Sequence, residues 1–306
     1  GRPAAAVVKP KDEVKRGQLL AESTGFVSAS VHSPVSGRVK KLVTAPHPLG
    51  STCEAALIEN DHQDAWAAGV DVERDTRDLD ADAIRDVIAS AGIVGMGGAT
   101  FPTHVKLSPP DNKPIDTILL NGIECEPFLT ADYRLMLESP RTIVGGLLLV
   151  MRVVGARRGV VAVEANKPDA LAILQKALAE AGGDLESRML PMQYPQGAEK
   201  QLIYACLQRE VPSGGLPMDV GVVVQNVGTA HAIYEACARN RPLTERITTV
   251  SGPGVERPAN FRVRLGTPIR VLLDACGLRT EETRKIVLGG PMMGLAHCDL
   301  AVPVNK

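Results

Sequence analysis

"GVVAVEANKPDALAILQKALAEAGG", residues 159–183, holds a strand, a loop and a helix in one unbroken run. GVVAVEAN (159–166) is a short Val-rich apolar run closed by polar residues. Pro168 and Asp169 then open the helical ALAILQKALAEA, which the pair Gly182–Gly183 stops. The same order recurs on both sides. IDTILLNG (115–122) is an apolar run closed by Asn121 and Gly122; LESRMLPMQ (185–193) leads through YPQGAE into KQLIYACL; DVGVVVQN (219–226) leads into VGTAHAIYEACA. Strands alternating with helices of this length predict an α/β fold with parallel crossovers. Its ligand site is expected beyond the carboxyl ends of the strands.

The flanks have a different texture. Residues 1–60 are rich in Val, Gly and Pro in short alternating runs, and AAAVVKPKDEVKRGQLLAES followed by VHSPVSGRVKKLV resembles the barrel-sandwich hairpins of biotinyl/lipoyl domains. The acceptor lysine of a carrier domain is absent between Gln18 and Gly37, so a structural β module is expected. After Arg246 come ITTVSGPGV, ANFRVRLG, the helix-like TPIRVLLDACG and KIVLGGPMMG, an order that suggests a small β-grasp-like fold. The expected domains are therefore 1–60, 61–245 and 246–306.

Composition narrows the partners. The 34 basic and 35 acidic residues leave a net charge of −1, which selects neither nucleic acid nor an acidic membrane. Aromatic residues make up 3% of the chain, too few for a single-strand stacking platform. The six cysteines show no CxxC or CxH spacing, so no local metal or cluster motif is present, and no metal ligand is expected in these residues. The apolar stretch IVGGLLLVM (143–151) is about half of what a bilayer crossing needs. The chain starts at Gly1 and stops at Lys306, and is expected to be a soluble piece of a longer protein.

A second stretch carries the chemistry. GIVGMGGATFPTHVKL (92–107) follows a helical segment in which Ile84, Val87 and Ile88 recur at helical spacing, so it is neither a P-loop nor a dinucleotide fingerprint. Backbone N–H groups of Gly95, Gly97 and Gly98, the Lys106 cation and a helix N-terminus near Thr229 can receive a phosphate. Phe101 offers a stacking face or plugs the turn. The strand ends supply Asn121, Glu124 and Glu126; Glu164, Asn166 and Lys167; Tyr194, Gly197 and Glu199; and Gln225, Asn226 and Thr229. Glu124 and Glu126, two apart in an extended loop, are expected to point into one cleft.

GIVGMGGATFPTHVKL and NGIECEPFLTADYRLM (121–136) resemble the two signature loops of the respiratory complex I flavoprotein subunit family, and within it the electron-input (RnfC) subunits of Rnf membrane complexes. The resemblance covers nearly the whole chain. It implies a Rossmann-like flavin domain flanked by an N-terminal barrel-sandwich segment and a C-terminal SLBB (soluble ligand-binding β-grasp) domain. It also implies FMN as cofactor, NADH as substrate, and electrons passed singly to 4Fe-4S clusters that lie after the SLBB-like domain, beyond Lys306. By motif position Gly95, Gly97, Gly98 and Lys106 match the flavin-phosphate loop, and Asn121 the flavin-contacting asparagine. Glu124 and Glu126 match carboxylates lining the nucleotide site, and Phe101 an aromatic stacked on the nucleotide. Tyr194, Gly197 and Glu199 match a Tyr-x-x-Gly-x-Glu loop, and Gln225, Asn226 and Thr229 an Asn-Asn-x-x-Thr loop. Hydride transfer between stacked rings needs no acid or base, so no catalytic side chain is expected. The implied partners are the other Rnf subunits, with the protein peripheral at the cytoplasmic face of the bacterial inner membrane.

Met96, Ile123, Ala198 and Gln225 stand where complex I has arginine, aspartate, glutamate and asparagine. These departures bear on the pose of the nucleotide more than on FMN. Two other readings share the modules: a corrinoid reductase of the propanediol-utilisation type, and a scaffold subunit whose flavin fold has lost its ligand.

Overall fold

The structure, a computed structural model, describes residues 1–306. The N-terminal residues form two antiparallel three-stranded sheets. One has the order β1 (Ala5–Ala6), β3 (Leu19–Glu22), β4 (Val31–His32); the other joins β2 (Glu13–Val14) to β5 (Gly37–Pro46) and β6 (Thr52–Asn60). Polar side chains make the turns between them: Asp12 accepts from the Lys9 N–H at 2.9 Å and Gln18 from the Lys15 N–H at 3.0 Å. Val8, Val14, Leu20 and Val39 are buried together, with Ala56 and Ile58 packed against them. A Cβ on Gly37, at φ +151, would lie 1.9 Å from the Glu59 carbonyl oxygen, so the entry to β5 admits glycine alone.

His32 is buried beside this core and its Nδ1 has no hydrogen-bond partner. Burial, reinforced by the Lys306 ammonium, pushes its imidazole down to about 4. A base held neutral by the fold stabilises fully above its unfolded value near 6.5. That stabilisation is lost as the unfolded chain takes up a proton which the folded chain refuses. Stability is therefore expected to fall by about 2–3 kcal/mol between pH 6.5 and 4. Urea titrations of wild type and His32→Gln across that range check this, and an equal pH slope for both would remove His32 as the cause.

The middle of the chain carries α1 (Ala81–Ser90), α2 (Thr103–Lys106), β7 (Thr117–Gly122), α3 (Ala131–Glu138), α4 (Pro140–Val154), β8 (Arg158–Glu164), α5 (Pro168–Ala181), β9 (Asp184–Leu190), α6 (Glu199–Leu207), β10 (Val222–Asn226) and α7 (Val227–Arg239). Asp80 caps α1 by accepting from the Ala83 N–H, and Ile84 and Ile88 are fully buried, as the spacing predicts. The four strands form one parallel sheet of order β10-β7-β8-β9. The α/β expectation with parallel crossovers is met. Leu119, Val160, Ala162, Val222 and Val224 pack against Leu202 and Ile203 of α6 on one face of the sheet. Helices α4, α5 and α7 pack on the sheet as well, and α1 packs on α4 and α7. The sequence of winding reverses at β7, because β8 and β9 lie to one side of it and β10 to the other. That reversal opens a crevice at the carboxyl ends of β7 and β10.

In the C-terminal residues β11 (Glu245–Val250) pairs with β12 (Ala259–Arg264), and β13 (Ile286–Leu288) with β14 (Leu295–His297), both antiparallel, with α8 (Ile269–Ala275) between them. Val250, Val255, Val263, Leu272, Leu273 and Cys276 form their core.

Contacts divide the chain into two units that are not sequential. One comprises Gly1–Asp71, Glu126–Ala131 and Arg241–Lys306, and the other Val72–Cys125 and Asp132–Asn240. Within the first, Arg16 stacks on Trp66 with its guanidinium carbon 4.1 Å from the ring centroid and pairs with Glu245 at 2.6 Å, while Arg264 pairs with Asp64. These contacts tie the two ends of the chain to each other. Segment 126–131 joins them through Thr130, whose N–H donates to Thr249 Oγ1 at 3.1 Å.

Candidate functional site

The glycine loop closes on itself. Val94 and Pro102 form an isolated antiparallel bridge, the Gly95 N–H donates to the Phe101 carbonyl at 2.8 Å, and the Thr103 N–H to Ile93 at 3.0 Å. The loop is held at the sheet crevice by α7: the Met96 N–H donates to Thr229 Oγ1 at 3.0 Å, and a Cβ on Gly97 would sit 3.5 Å from the Asn226 side chain. Gly98 has φ +119 and nothing within 4 Å of where a Cβ would lie. Its backbone faces open space in a conformation that other residues avoid. The N–H groups of Gly97 and Gly98 stay outside the intramolecular network, whereas that of Gly95 is used by the loop's own closure.

Asn121 and Asn226 end neighbouring strands as register partners. Asn121 Oδ1 accepts from the Ile123 N–H at 3.0 Å and its Nδ2 donates to the Gly197 carbonyl at 2.9 Å, so the amide ties the loop after β7 to the loop after β9. A Cβ on Gly197 would lie 3.1 Å from both Cys125 Sγ and the Ile123 carbonyl, which keeps that approach close. Asn226 caps α7, accepting from the Gly228 N–H at 2.8 Å and the Thr229 N–H at 3.4 Å, and donates from Nδ2 to Asp132 at 2.6 Å. Two of the α7 N–H groups expected to receive a phosphate are thus already engaged; the positive end of the helix dipole still favours an anion there.

Glu124 lies under this surface with its side chain 4% exposed. Its two oxygens accept from the Asp132 N–H at 2.8 Å and the Tyr133 N–H at 2.9 Å in the first turn of α3. Lys167 Nζ stands 3.0 Å from Glu124 and 2.9 Å from Glu164, and all three side chains are buried. Burial alone would lower the lysine; the two carboxylates outweigh it and hold the ammonium above its ordinary value. Glu164 Oε1 and Gln225 Nε2 are buried without any partner.

Other expected residues are committed differently from their sequence reading. Lys106 Nζ pairs with Glu199 Oε1 at 2.6 Å, both side chains partly exposed, so the phosphate cation and one site carboxylate neutralise each other. Glu126 belongs to the other compact unit, where its oxygens accept from the Met292 and Met293 N–H groups at 2.9 and 2.8 Å. Glu124 and Glu126 thus bind unrelated backbone groups, one at a helix start and one at a glycine-rich turn, instead of facing one cleft. Phe101 and Tyr194 present exposed rings. Sequence reasoning misses Asp132 and Tyr133, for which the available signal is the start of α3 eight residues after Glu124.

FMN fits what is present on the loop. The cradle at Gly97 and Gly98 has unused N–H donors and open space, exposed rings are available, and Lys106 has a partner that an incoming phosphate can replace.

Residues 88–235 match the family model of the Nuo51 FMN-binding domain, residues 1–63 that of the RnfC barrel-sandwich hybrid domain, and residues 247–296 that of the SLBB domain. The RnfC-type component of the proton-translocating ferredoxin:NAD(+) oxidoreductase complex of Clostridium ljungdahlii is 48% identical over all of this chain and 66% of its own length. Its counterpart in the Na(+)-translocating complex of Acetobacterium woodii is 46% identical over all of this chain and 69% of its own. For the counterpart in the ion-translocating oxidoreductase complex of Rhodobacter capsulatus the values are 41%, 100% and 59%. The chain thus spans about two thirds of the length of these relatives. Among solved structures, an NAD+-reducing [NiFe]-hydrogenase in the air-oxidized state superposes with a TM-score of 0.63 at 23% identity, over 76% of this chain and 45% of that one, a likeness of fold. With its three modules in the order of those relatives and its length matched throughout, the chain belongs to the RnfC family of subunits in ion-translocating ferredoxin:NAD(+) oxidoreductase complexes.

Proposed function

We propose that the chain binds FMN at the glycine loop and exchanges electrons with NAD(H) there, as the nucleotide-facing part of a subunit whose 4Fe-4S clusters lie outside these residues. The observation that carries this reading is the docking of the Gly97–Gly98 loop onto the N-terminus of α7, at the crevice between β7 and β10. An anion at that point meets unused backbone donors and a helix dipole together. When bound, FMN supplies the chemistry that couples a two-electron hydride exchange to single-electron transfers.

The protein's share is alignment and electrostatics. Gly98, by its positive φ, lets the backbone face the phosphate without a side chain between them. Lys106 exchanges Glu199 for the phosphate, and Glu199 is thereby released toward the ligand. Asn121 keeps the loops after β7 and β9 at fixed separation through its two hydrogen bonds. Phe101 offers its exposed ring to a planar group. No helix is long and apolar enough to cross a membrane, which agrees with attachment through other Rnf subunits.

The test is uptake of flavin by the purified chain. FMN is expected to bind and its visible spectrum to bleach with NADH. Ferricyanide is expected to reoxidise it, whereas ferredoxin is not without the missing clusters. Lys106→Met is expected to weaken FMN by about 1.5–3 kcal/mol and leave riboflavin, which lacks the phosphate, nearly unchanged. Because the lysine starts from an ion pair with Glu199, the low end of that range applies. An equal loss for both flavins removes Lys106 from the phosphate site, and no FMN uptake by wild type returns the chain to the scaffold reading.

A further inference from the structure

Glu124, Lys167 and Glu164 form a cluster of three buried charged side chains behind the loops that end β7 and β8. One ammonium serves two carboxylates, so the cluster carries a net charge of minus one. The carboxylates are not equivalent. Both oxygens of Glu124 accept backbone N–H groups from α3, which favours its ionised form, whereas Glu164 has one oxygen on Lys167 and the other buried with no donor at all. Through Asp132 the cluster is hydrogen-bonded to Asn226, and Asn226 caps the helix on which the glycine loop rests. Hydrogen bonds and ion pairs therefore run without a break from Glu164 to Met96.

We propose that Lys167 is a positioning residue of the flavin site: acting through Glu124, it keeps both buried carboxylates charged and so holds constant, across pH, the charge behind the site. The inference rests on the reading that FMN occupies the glycine loop. Without the lysine, two carboxylates that now share one ammonium face each other in a buried space, where both cannot ionise in the neutral range. The proton goes to Glu164 Oε1, which has no donor to lose, and Glu124 stays on the α3 N–H groups. At low pH such a variant carries the wild-type charge of minus one; at high pH it carries minus two. A titration that the native protein lacks then appears in every property that senses this charge.

The other titratable groups facing the cluster do not produce such a titration. Tyr133, whose ring Lys167 overlies at 5.8 Å, donates its hydroxyl to Asp169 at 2.6 Å. That bond raises the tyrosine and lowers the aspartate, moving both away from neutral pH. Asp132 is held by Asn226, and Arg134, next along α3, is paired with Glu138.

The experiment uses the whole chain as wild type, Lys167→Met, Lys167→Arg and the double variant Lys167→Met/Glu164→Gln. The midpoint potential of bound FMN is measured against pH by spectroelectrochemistry, and protonated-carboxyl absorption is followed by infrared difference spectroscopy in the flavin-free chain. Lys167→Met is expected to match the wild-type potential at low pH, fall below it at high pH, and show a carboxyl band that disappears over the same interval. Lys167→Arg and the double variant are expected to show neither, because the first restores the cation and the second removes the carboxyl that takes the proton. A carboxyl band without any break in the potential overturns the role at the site and leaves Lys167 purely structural. Absence of the band in folded Lys167→Met overturns the charge argument itself. If Lys167→Met does not fold, a break or a band in the double variant overturns the assignment to Glu164. Failure of wild type to bind FMN overturns the flavin reading and the link to potential together, while the infrared arm still reports on the cluster.

Discussion

Glu124→Ala is expected to destabilise the α/β unit by about 3–5 kcal/mol, the cost of removing one member of a buried ion cluster and leaving the others uncompensated. Three bonds disappear at once: the first-turn N–H groups of Asp132 and Tyr133 lose their acceptors, and Lys167 keeps only Glu164. For a unit of this size the loss corresponds to a drop in melting temperature on the order of 10 °C. Glu126→Ala is the matched control, because its two backbone bonds go to Met292 and Met293 on an exposed turn and are worth about 1–2 kcal/mol together. Thermal and urea unfolding of both variants, without flavin, check the contrast. Equal losses for the two would mean that burial of Glu124 is unimportant, and a loss below about 1 kcal/mol at Glu124 would show that Lys167 finds another partner.

Gly146→Val is expected to leave no stably folded α/β unit, at a cost above about 4 kcal/mol. Helix α4 crosses α7 at this residue so closely that a Cβ would lie 1.9 Å from the Ala230 carbonyl oxygen and 2.5 Å from its carbonyl carbon. The obstacle is backbone in the middle of a helix, which cannot swing aside as a side chain can. The helices must separate, and they open a gap beside Leu147 and Ile233, both fully buried. Because α7 also carries Asn226 and Thr229, flavin uptake is expected to fail with the fold. Leu148→Ala, on a partly exposed position of the same helix, is expected to cost about 1 kcal/mol or less. Soluble yield and circular dichroism of the two variants test this, and a folded Gly146→Val with the wild-type denaturation midpoint would overturn the close crossing.

The parallel sheet is legible in the sequence because its evidence is local. Val160, Val161 and Val163 make a strand by their own shape, Pro168 starts α5 and Gly182 ends it, and the same signals recur at β7, β9 and β10. Strand ends in a parallel sheet share an edge, so the loops at Asn121, Gly197 and Asn226 can be assigned to one region from order alone. By contrast IVGGLLLVM tells a reader of the sequence only that it is too short for a membrane. Its two glycines mark the α4–α7 crossing, and nothing within the stretch identifies the helix that would approach it.

Partnerships between charges are illegible for the same reason. Lys106 with Glu199, and Lys167 with Glu124 and Glu164, join residues that no periodicity connects, and each pairing depends on which loops the winding order brings together. The two carboxylates of the Glu-x-Glu pair show the limit most clearly: extended backbone predicts a common direction for Glu124 and Glu126, yet the chain leaves one compact unit at Cys125 and re-enters it at Asp132. By itself the sequence determined the strands, the helices, the parallel sheet and the glycine loop, since these follow from side-chain shape and period over a few residues. Only the tertiary structure decided which charges are buried together, which glycine a helix crosses and which N–H groups stay unused, because those depend on contacts between residues far apart in the chain, where desolvation and close packing set the energy.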